Sequence, residues 1–485
     1  MGPNAKNVSD SALTSRLDRF FRLTEHGSTV RTEVIAGITT FLTMSYIIFV
    51  QPAVLSGKMF GQSTGMDFGA VTSATCLSAA LATLIMALYA RYPIAQAPGM
   101  GQNFFFVFSA LPAAAAAGYT NPWQVALGMV FVSGVLFVLL SLAGLRELIF
   151  NAVSPSLKHA IAAAIGLFIA FIGLQNTGLI VKDPGTAVKM NVHFTSPDLI
   201  VFFFGLILTA ALHARRVRGS ILLGICGATL LSIALKLVFL HGPSRAPTPA
   251  VVAESMLATR FEIAHGLVSL PPSLAPTLLK LDPIKAVTPP MLPFVAVFLF
   301  MLVFDAIGTL IGVCEQAGLM RDNKLPRAKQ AMISDAIGTV VGAALGTSTV
   351  TSYIESAAGV EQGGRTGLTG LVTAGLFILA LFFSPIIAMI GSYPPITAPA
   401  LVIVGAMMMQ NAAKVEWKDY TEAIPAFLTL VGVPLSYSIA DGLALGFISY
   451  PIVKALAGRG REVGWLTYLL GGILLLYFLL VRTGM

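Results

Sequence analysis

"GTSTVTSYIESAAGVEQGGRTG", residues Gly346 to Gly367, decides how this chain folds. Hydroxyl side chains crowd its first half, among them Thr347, Ser348, Thr349, Thr351, Ser352 and Ser356; Glu355 stands within them, and a glycine-rich turn with Arg365 follows. Apolar runs flank it on both sides. A second interrupted segment, "QAPGMGQNFFF" at residues 96–106, places Pro98, Gly99 and Gly101 ahead of Asn103. Neither reads as a continuous helix, because proline and clustered glycine break one. Irregular backbone at membrane depth survives only against protein or a wet cavity. The two stretches therefore predict paired broken segments facing a central polar site.

The rest of the chain supplies the membrane. Of 485 residues 56% are hydrophobic and 11% charged, less than half the roughly 25% charge of a soluble protein. Runs such as "AVFLFMLVFDAIGTLIGV" and "TAGLFILALFFSPIIAMI" approach the roughly 20 residues that cross a bilayer as helix. Spans are predicted near 33–55, 68–90, 97–115, 122–144, 158–181, 198–213 and 219–241. After a polar loop they resume near 291–317, 328–345, 348–361, 367–391, 396–413, 422–436 and 438–457. Seven plus seven, with an odd number in each half, makes the halves inverted repeats. The shared Gln-Asn pair of "GLQNTGLI" in the fifth span and "MMQNAAKV" in the twelfth is a faint echo of that symmetry. A last apolar run, 464–482, falls outside it.

The net charge of +8 marks loops rather than a nucleic-acid surface. Arg16, Arg19, Arg22 and Arg31 precede the first span; Arg215, Arg216 and Arg218 share one short loop; Arg321, Lys324, Arg327 and Lys329 share another. This is the positive-inside pattern, which puts the N-terminus in the cytoplasm. The first apolar run begins near Val34, so no cleavable signal is expected. Leu13, Leu17, Phe20 and Phe21 recur at helical spacing beside arginines, predicting a helix on the inner membrane surface. Cys76, Cys226 and Cys314 all lie in apolar runs, an odd, buried set that argues against disulfides and metal.

Ionisable groups inside spans point to function, since a charge at a helix centre costs roughly 2.5–3.5 kcal/mol on insertion scales. Asp305 lies mid-way along "FMLVFDAIGTLIG"; Asp335, in "AMISDAIGTVVG", is less deep; Asp441 is placed to cap its helix. An anion transporter would avoid Asp305 and Glu355 at its centre. An ATP-driven pump needs a Gly-Lys-Ser/Thr phosphate loop that the sequence lacks. No nucleophile and base stand paired for a membrane enzyme.

At this point a family becomes recognisable. "TTFLTMSYIIFVQPAVLS", "APGMGQN", "FDAIGTLIG" and "GTSTVTSYIESAAGVEQGGRTGLTG" closely resemble the AzgA-like purine permeases, a branch of the nucleobase/cation symporter 2 (nucleobase-ascorbate transporter) superfamily. The resemblance runs from about residue 17 to 460. It implies an all-α polytopic membrane protein of the 7+7 inverted-repeat transporter fold, with broken third and tenth spans containing short extended segments. It further implies an elevator-like division into a core domain and a gate domain. An amphipathic cytoplasmic segment, 1–32, is followed by the first stretch of the core (33–144), the first stretch of the gate (145–241) and an outer loop (242–290). The chain then returns to the core (291–391) and to the gate (392–457), and a basic loop with an extra apolar helix (458–485) completes it.

The activity implied is proton-coupled import of adenine, guanine, hypoxanthine or xanthine across the plasma or inner membrane, with no cofactor beyond the coupling H+ and with a homodimer as the oligomer the lipid-facing spans allow. Carried over by motif, the eighth-span carboxylate falls on Asp305, the tenth-span carboxylate on Glu355, and the third-span Gly-x-Asn on Gly101 and Asn103. Gln102, Ser352, Ile354 and Thr43 complete the expected substrate contacts, and Asp305, Glu355 and Asp335 the proton path. Gln102 and Phe104 stand where the family usually has leucine and alanine, and Ala306 replaces a common threonine. A purine edge offers donors and acceptors, so carboxylates, amides and an apolar wall suit it; Phe104, Phe105, Phe106 and Tyr353 are the wall candidates. Two carboxylates close together in low dielectric do not both ionise easily, so one is expected to carry a proton. Asp305, with apolar sequence neighbours, is the expected seat and Glu355 the expected ligand of the base. The six histidines lie outside these motifs.

Overall fold

The computed structural model describes residues 17–144, 153–241, 250–319 and 325–480; Leu13, Arg16, Arg321 and Lys324 of the basic segments lie outside them. Among the described residues ten helices are long and apolar enough to cross a membrane. They are spans 1 (Val30–Leu55), 2 (Phe68–Ala90), 4 (Pro122–Ala143), 5 (Pro155–Asn176), 6 (Pro197–Ala214), 7 (Ser220–His241), 8 (Leu292–Gln316), 11 (Gly367–Ser392), 12 (Pro394–Lys414) and 14 (Ile439–Leu456). Spans 9 (Ala328–Leu345) and 13 (Tyr420–Ser436) are helical but shorter or more polar.

The helix contacts repeat when each span is exchanged for the one seven later. Span 1 packs on 11 as 8 packs on 4; span 6 packs on 12 as 13 packs on 5; span 6 packs on 7 as 13 packs on 14. Spans 9 and 2 pack on each other across the pseudo-axis. This is the 7+7 inverted repeat.

Spans 3 and 10 depart from simple helix. Strand β1 (Gln96–Pro98) leads into a helical stretch over 100–116 that widens to π geometry at Phe106–Ala110. Two further strands, β2 (Ile180–Asp183) and β3 (Ala187–Met190), form a hairpin after span 5. Strand β4 (Val350–Ser352) leads into the short helix Ser356–Glu361. Strands β1 and β4 pair antiparallel, Gln96 opposite Ser352 and Pro98 opposite Val350. Backbone groups that no water can reach thereby satisfy one another.

Three local expectations are corrected. Span 1 is interrupted at Ser45–Tyr46, between helices Val30–Met44 and Ile47–Leu55. Ser438, not Asp441, caps span 14: its hydroxyl accepts from the Asp441 N–H, and Asp441 occupies the first turn. Cys226 is exposed while Cys76 and Cys314 are buried, because span 7 turns much of its apolar surface outward, as Leu230 and Val238 also do.

The ends of the spans are tied by local devices. Phe21 and Leu23 of the N-terminal segment pack on Leu368 of span 11, and Arg91 sits 4.7 Å over the exposed Phe20 ring. The extra helix, Trp465–Leu480, packs on spans 14 and 8. Sixteen residues reach only about 24 Å, short of the roughly 30 Å hydrocarbon core. Ahead of it, buried Lys454 meets Glu422 and Glu462 at 3.0 Å each, and Arg459 joins Asp419 at 2.7 Å to Glu462 at 2.8 Å.

Candidate functional site

The β1–β4 ribbon brings the two interrupted segments together. The Gly99 N–H donates to Thr349 O at 2.9 Å and the Tyr353 N–H to Ala95 O at 3.0 Å, extending the ladder past both strand ends. The Tyr353 hydroxyl donates to the Pro98 carbonyl at 2.5 Å. A β-carbon at Gly99 would lie 2.2 Å from Gln102 Oε1, so a side chain there would push the Gln102 amide out of its present position.

Asp305 and Glu355 open onto this region from different spans. Asp305 is exposed and Glu355 half-buried. Ile354, beside Glu355, is 49% exposed, and its Cδ1 lies 3.6 Å from where a Gly312 β-carbon would be. Asp305, Gly308 and Gly312 fall on one helical stripe, so that stripe and Ile354 border a common space. The same stripe continues backward through Met301, Phe298 and Phe294, all buried. The space therefore begins at Asp305 and extends toward the end of span 8 that leads to the basic loop. The apolar sequence neighbours of Asp305 do not enclose its carboxylate: successive residues on a helix point about 100° apart.

Each acid has a defined partner. Gln102 Nε2 donates to Asp305 Oδ2, and the Tyr46 hydroxyl donates to Glu355 Oε1 at 2.8 Å. The interruption of span 1 is what delivers Tyr46 to that position. Thr43 Oγ1 reaches the Glu355 carbonyl at 3.4 Å while donating within its own helix to Thr40 O at 2.8 Å.

Other expected contacts are buried. Asp335 is fully buried; its Oδ1 accepts from Gln96 Nε2 at 2.5 Å and from Ser352 Oγ at 3.0 Å. It thus clamps the two residues that face each other across β1 and β4, while Asp335 Oδ2 and Gln96 Oε1 have no hydrogen-bond partner among the described residues. Asn103 is also fully buried, its Oδ1 accepting from Ser348 Oγ, which in turn lies 3.2 Å from Gln51 Nε2. Gly101 packs against Ile165 of span 5. Phe104, Phe105 and Phe106 are fully buried. Phe105 packs edge-on against Phe298 with ring centres 4.6 Å apart, and Phe104 belongs to a separate aromatic group.

Sequence reasoning missed Tyr46, Gln51, Gln96 and Glu33. The signal for Gln51 was a polar side chain inside an apolar run, and for Glu33 a carboxylate at the start of one; Tyr46 gave none, because tyrosine is common at membrane boundaries. Glu33 explains the glycine-arginine-threonine motif. Fully buried, it accepts from the N–H groups of Arg365, Thr366 and Thr369 and from Thr369 Oγ1 at 2.5 Å, capping span 11. Arg365 in turn donates to the Val360 and Gly364 carbonyls at the end of the tenth-span helix.

An inverted repeat whose two broken segments meet beside paired acids defines a polytopic membrane transporter. Residues 31–444 match the Permease family that holds the nucleobase/ascorbate transporters, and the chain belongs to it. It is 44% identical to the guanine/hypoxanthine permease PbuG of Bacillus subtilis, over 96% of this chain and 99% of that one. Identity to the adenine permease AdeP of Escherichia coli is 41%, over 92% of each. The fold is similar to the transmembrane domain of a cyanobacterium bicarbonate transporter, BicA, with a TM-score of 0.57 covering 85% of this chain and 97% of that one at 15% identity.

Proposed function

We propose that this protein imports purine nucleobases by proton symport, with spans 1–4 and 8–11 moving as a core against a gate of spans 5–7 and 12–14. The observation that carries the reading is that Asp305 and Glu355, two acids presented from different spans, stand where the broken third and tenth spans meet, with Ile354, next to Glu355, against the Gly312 face of the span that holds Asp305. A purine N–H edge is matched by carboxylate acceptors. The names of the relatives support the class, since guanine/hypoxanthine and adenine permeases match over nearly their whole length. An anion such as the bicarbonate of BicA would meet two carboxylates where it needs donors.

Asp305 carries the transported proton and Glu355 holds the base. Asp305 opens onto the accessible space, where it exchanges protons with water, whereas Glu355 is oriented by Tyr46. The side toward which the space opens is the cytoplasm, by the placement of the basic loops. Uptake of radiolabelled hypoxanthine and adenine by cells lacking their own purine permeases tests the reading. Accumulation that stops with a protonophore and slows in alkaline medium is the expected result. No purine uptake overturns the substrate class, and accumulation driven equally well by sodium alone overturns the coupling ion.

A further inference from the structure

We propose that an aromatic cluster shared between the two helix groups is the gate that shuts the site from the membrane face opposite the basic loops. Phe104 and Phe108 stand on span 3 and Phe60 on the turn after span 1; Phe168 stands on span 5 and Tyr437 on the turn between spans 13 and 14. Phe108 meets Phe60 at 4.8 Å within the first group. Across the groups Phe108 meets Tyr437 at 5.0 Å and Phe168 at 5.9 Å, and Phe104 meets Phe168 at 6.4 Å; within the second group Phe168 meets Tyr437 at 5.4 Å. Nearly all are edge-to-face pairs, the arrangement that aromatic quadrupoles favour. Ser109 Oγ lies 3.4 Å from Ser438 Oγ along the same seam.

Position along the spans fixes which side this cluster closes. Span 1 enters from the N-terminal arginines and ends at Phe60's turn; span 14 begins beside Tyr437 and ends at Lys454 and Arg459. Both aromatic turns are therefore at the end away from the basic loops. The stripe on span 8 agrees: it is buried from Phe294 to Met301 and opens only from Asp305 onward. The site is open on one side, and the aromatic seam lies on the other.

Two features make the cluster more than packing. Tyr437 has a φ of +54° at the end of span 13, a left-handed conformation that glycine adopts freely and a β-carbon disfavours. The position keeps a strained tyrosine whose ring bridges Phe108 and Phe168. Phe104, for its part, is fully buried and brings a second ring of the first group against Phe168 of the other. For the site to open toward the far face, these cross-group contacts have to separate.

The gate rests on the alternating-access reading, but labelling locates it without any assumption about substrate. In a cysteine-free background, Ile354→Cys is exposed to a membrane-impermeant maleimide from each side of sidedness-sorted vesicles. Labelling from the basic-loop side is expected in every variant and serves as the control for folding. Adding Phe104→Ala and Phe108→Ala is expected to raise labelling from the opposite side by about tenfold, as loss of several ring pairs implies. In a second arm, Phe108→Cys and Tyr437→Cys are bridged by a short reducible bifunctional reagent; purine exchange is expected to stop and to return on reduction. Unchanged opposite-side labelling in the double alanine variant, with the basic-side control intact, overturns the gate. So does full exchange by the bridged protein. Absence of any purine exchange before bridging, with the labelling shift present, overturns the substrate reading and leaves the gate.

Discussion

The Tyr46 hydroxyl lies 2.8 Å from Glu355 Oε1, joining the break in span 1 to the acid of span 10. A hydrogen bond to a charged group contributes about 1.5–3 kcal/mol, and here it also orients the carboxylate. Tyr46→Phe is therefore expected to weaken purine binding by roughly 10- to 150-fold with the protein still in the membrane. Glu355→Gln, which removes the charge itself, is expected to lose binding altogether. Equilibrium binding of labelled hypoxanthine to purified protein measures both. Wild-type affinity in Tyr46→Phe removes Tyr46 from the site.

Asp305 and Glu355 are separable by what each loses. Asp305→Asn mimics a permanently protonated acid; it is expected to bind purine and exchange it across vesicles but not to accumulate it against a gradient. Glu355→Gln is expected to fail at binding and so at exchange. Counterflow and gradient-driven uptake on the same preparations distinguish the two. Binding and normal exchange by Glu355→Gln, with none by Asp305→Asn, reverses the assignment.

Much of this architecture was legible in the chain, for identifiable reasons. Pro98, Gly99 and Gly101 announce a break in span 3, and the hydroxyl run does so in span 10, because both are properties of neighbouring residues. What pairs with what was not legible. That Gln96 and Ser352 would face each other and share Asp335 is a matter of register between segments 256 residues apart, and the sequence carries no local trace of it. The apolar letters around Asp305 suggested enclosure, yet a helix turns its neighbours to other faces and leaves the carboxylate open. Nor does the sequence announce that Asn103 Oδ1 would accept from Ser348 Oγ, a pairing of residues from the two broken segments.

Glu33 offers a test of structure alone. It satisfies the buried N–H groups of Thr366 and Thr369, the part-buried N–H of Arg365 and the buried Thr369 hydroxyl at the start of span 11. Glu33→Ala leaves those donors unpaired, which costs about 1–3 kcal/mol for each group that water does not reach. A clear fall in the melting temperature of the detergent-solubilised protein is expected. Glu33→Gln, which keeps one acceptor oxygen, is expected to fall less. Equal melting temperatures for wild type and Glu33→Ala would show that the cap contributes nothing.

The acid cluster ahead of the extra helix gives a pH dependence outside the membrane. Hydrogen bonds from Thr421 first and Arg459 next pull the Asp419 carboxyl down to about 2, and Arg459 with Lys454 does the same to Glu462. A carboxyl lowered by folding contributes stability that is fully present above its unfolded value, about 4. That contribution is lost as the pH falls through about 2. Attachment of the segment 457–464 is thus expected to be indifferent to pH between about 5 and 8 and to loosen only on acidification below about 4. Lys454→Met is expected to loosen it already at neutral pH, because Glu422 and Glu462 are then left without their shared cation. Limited proteolysis between Ala457 and Trp465, followed across pH for both proteins, reads the attachment directly. Equal resistance of Lys454→Met and wild type at neutral pH would mean that packing on spans 8 and 14, not the ion cluster, holds the helix in place.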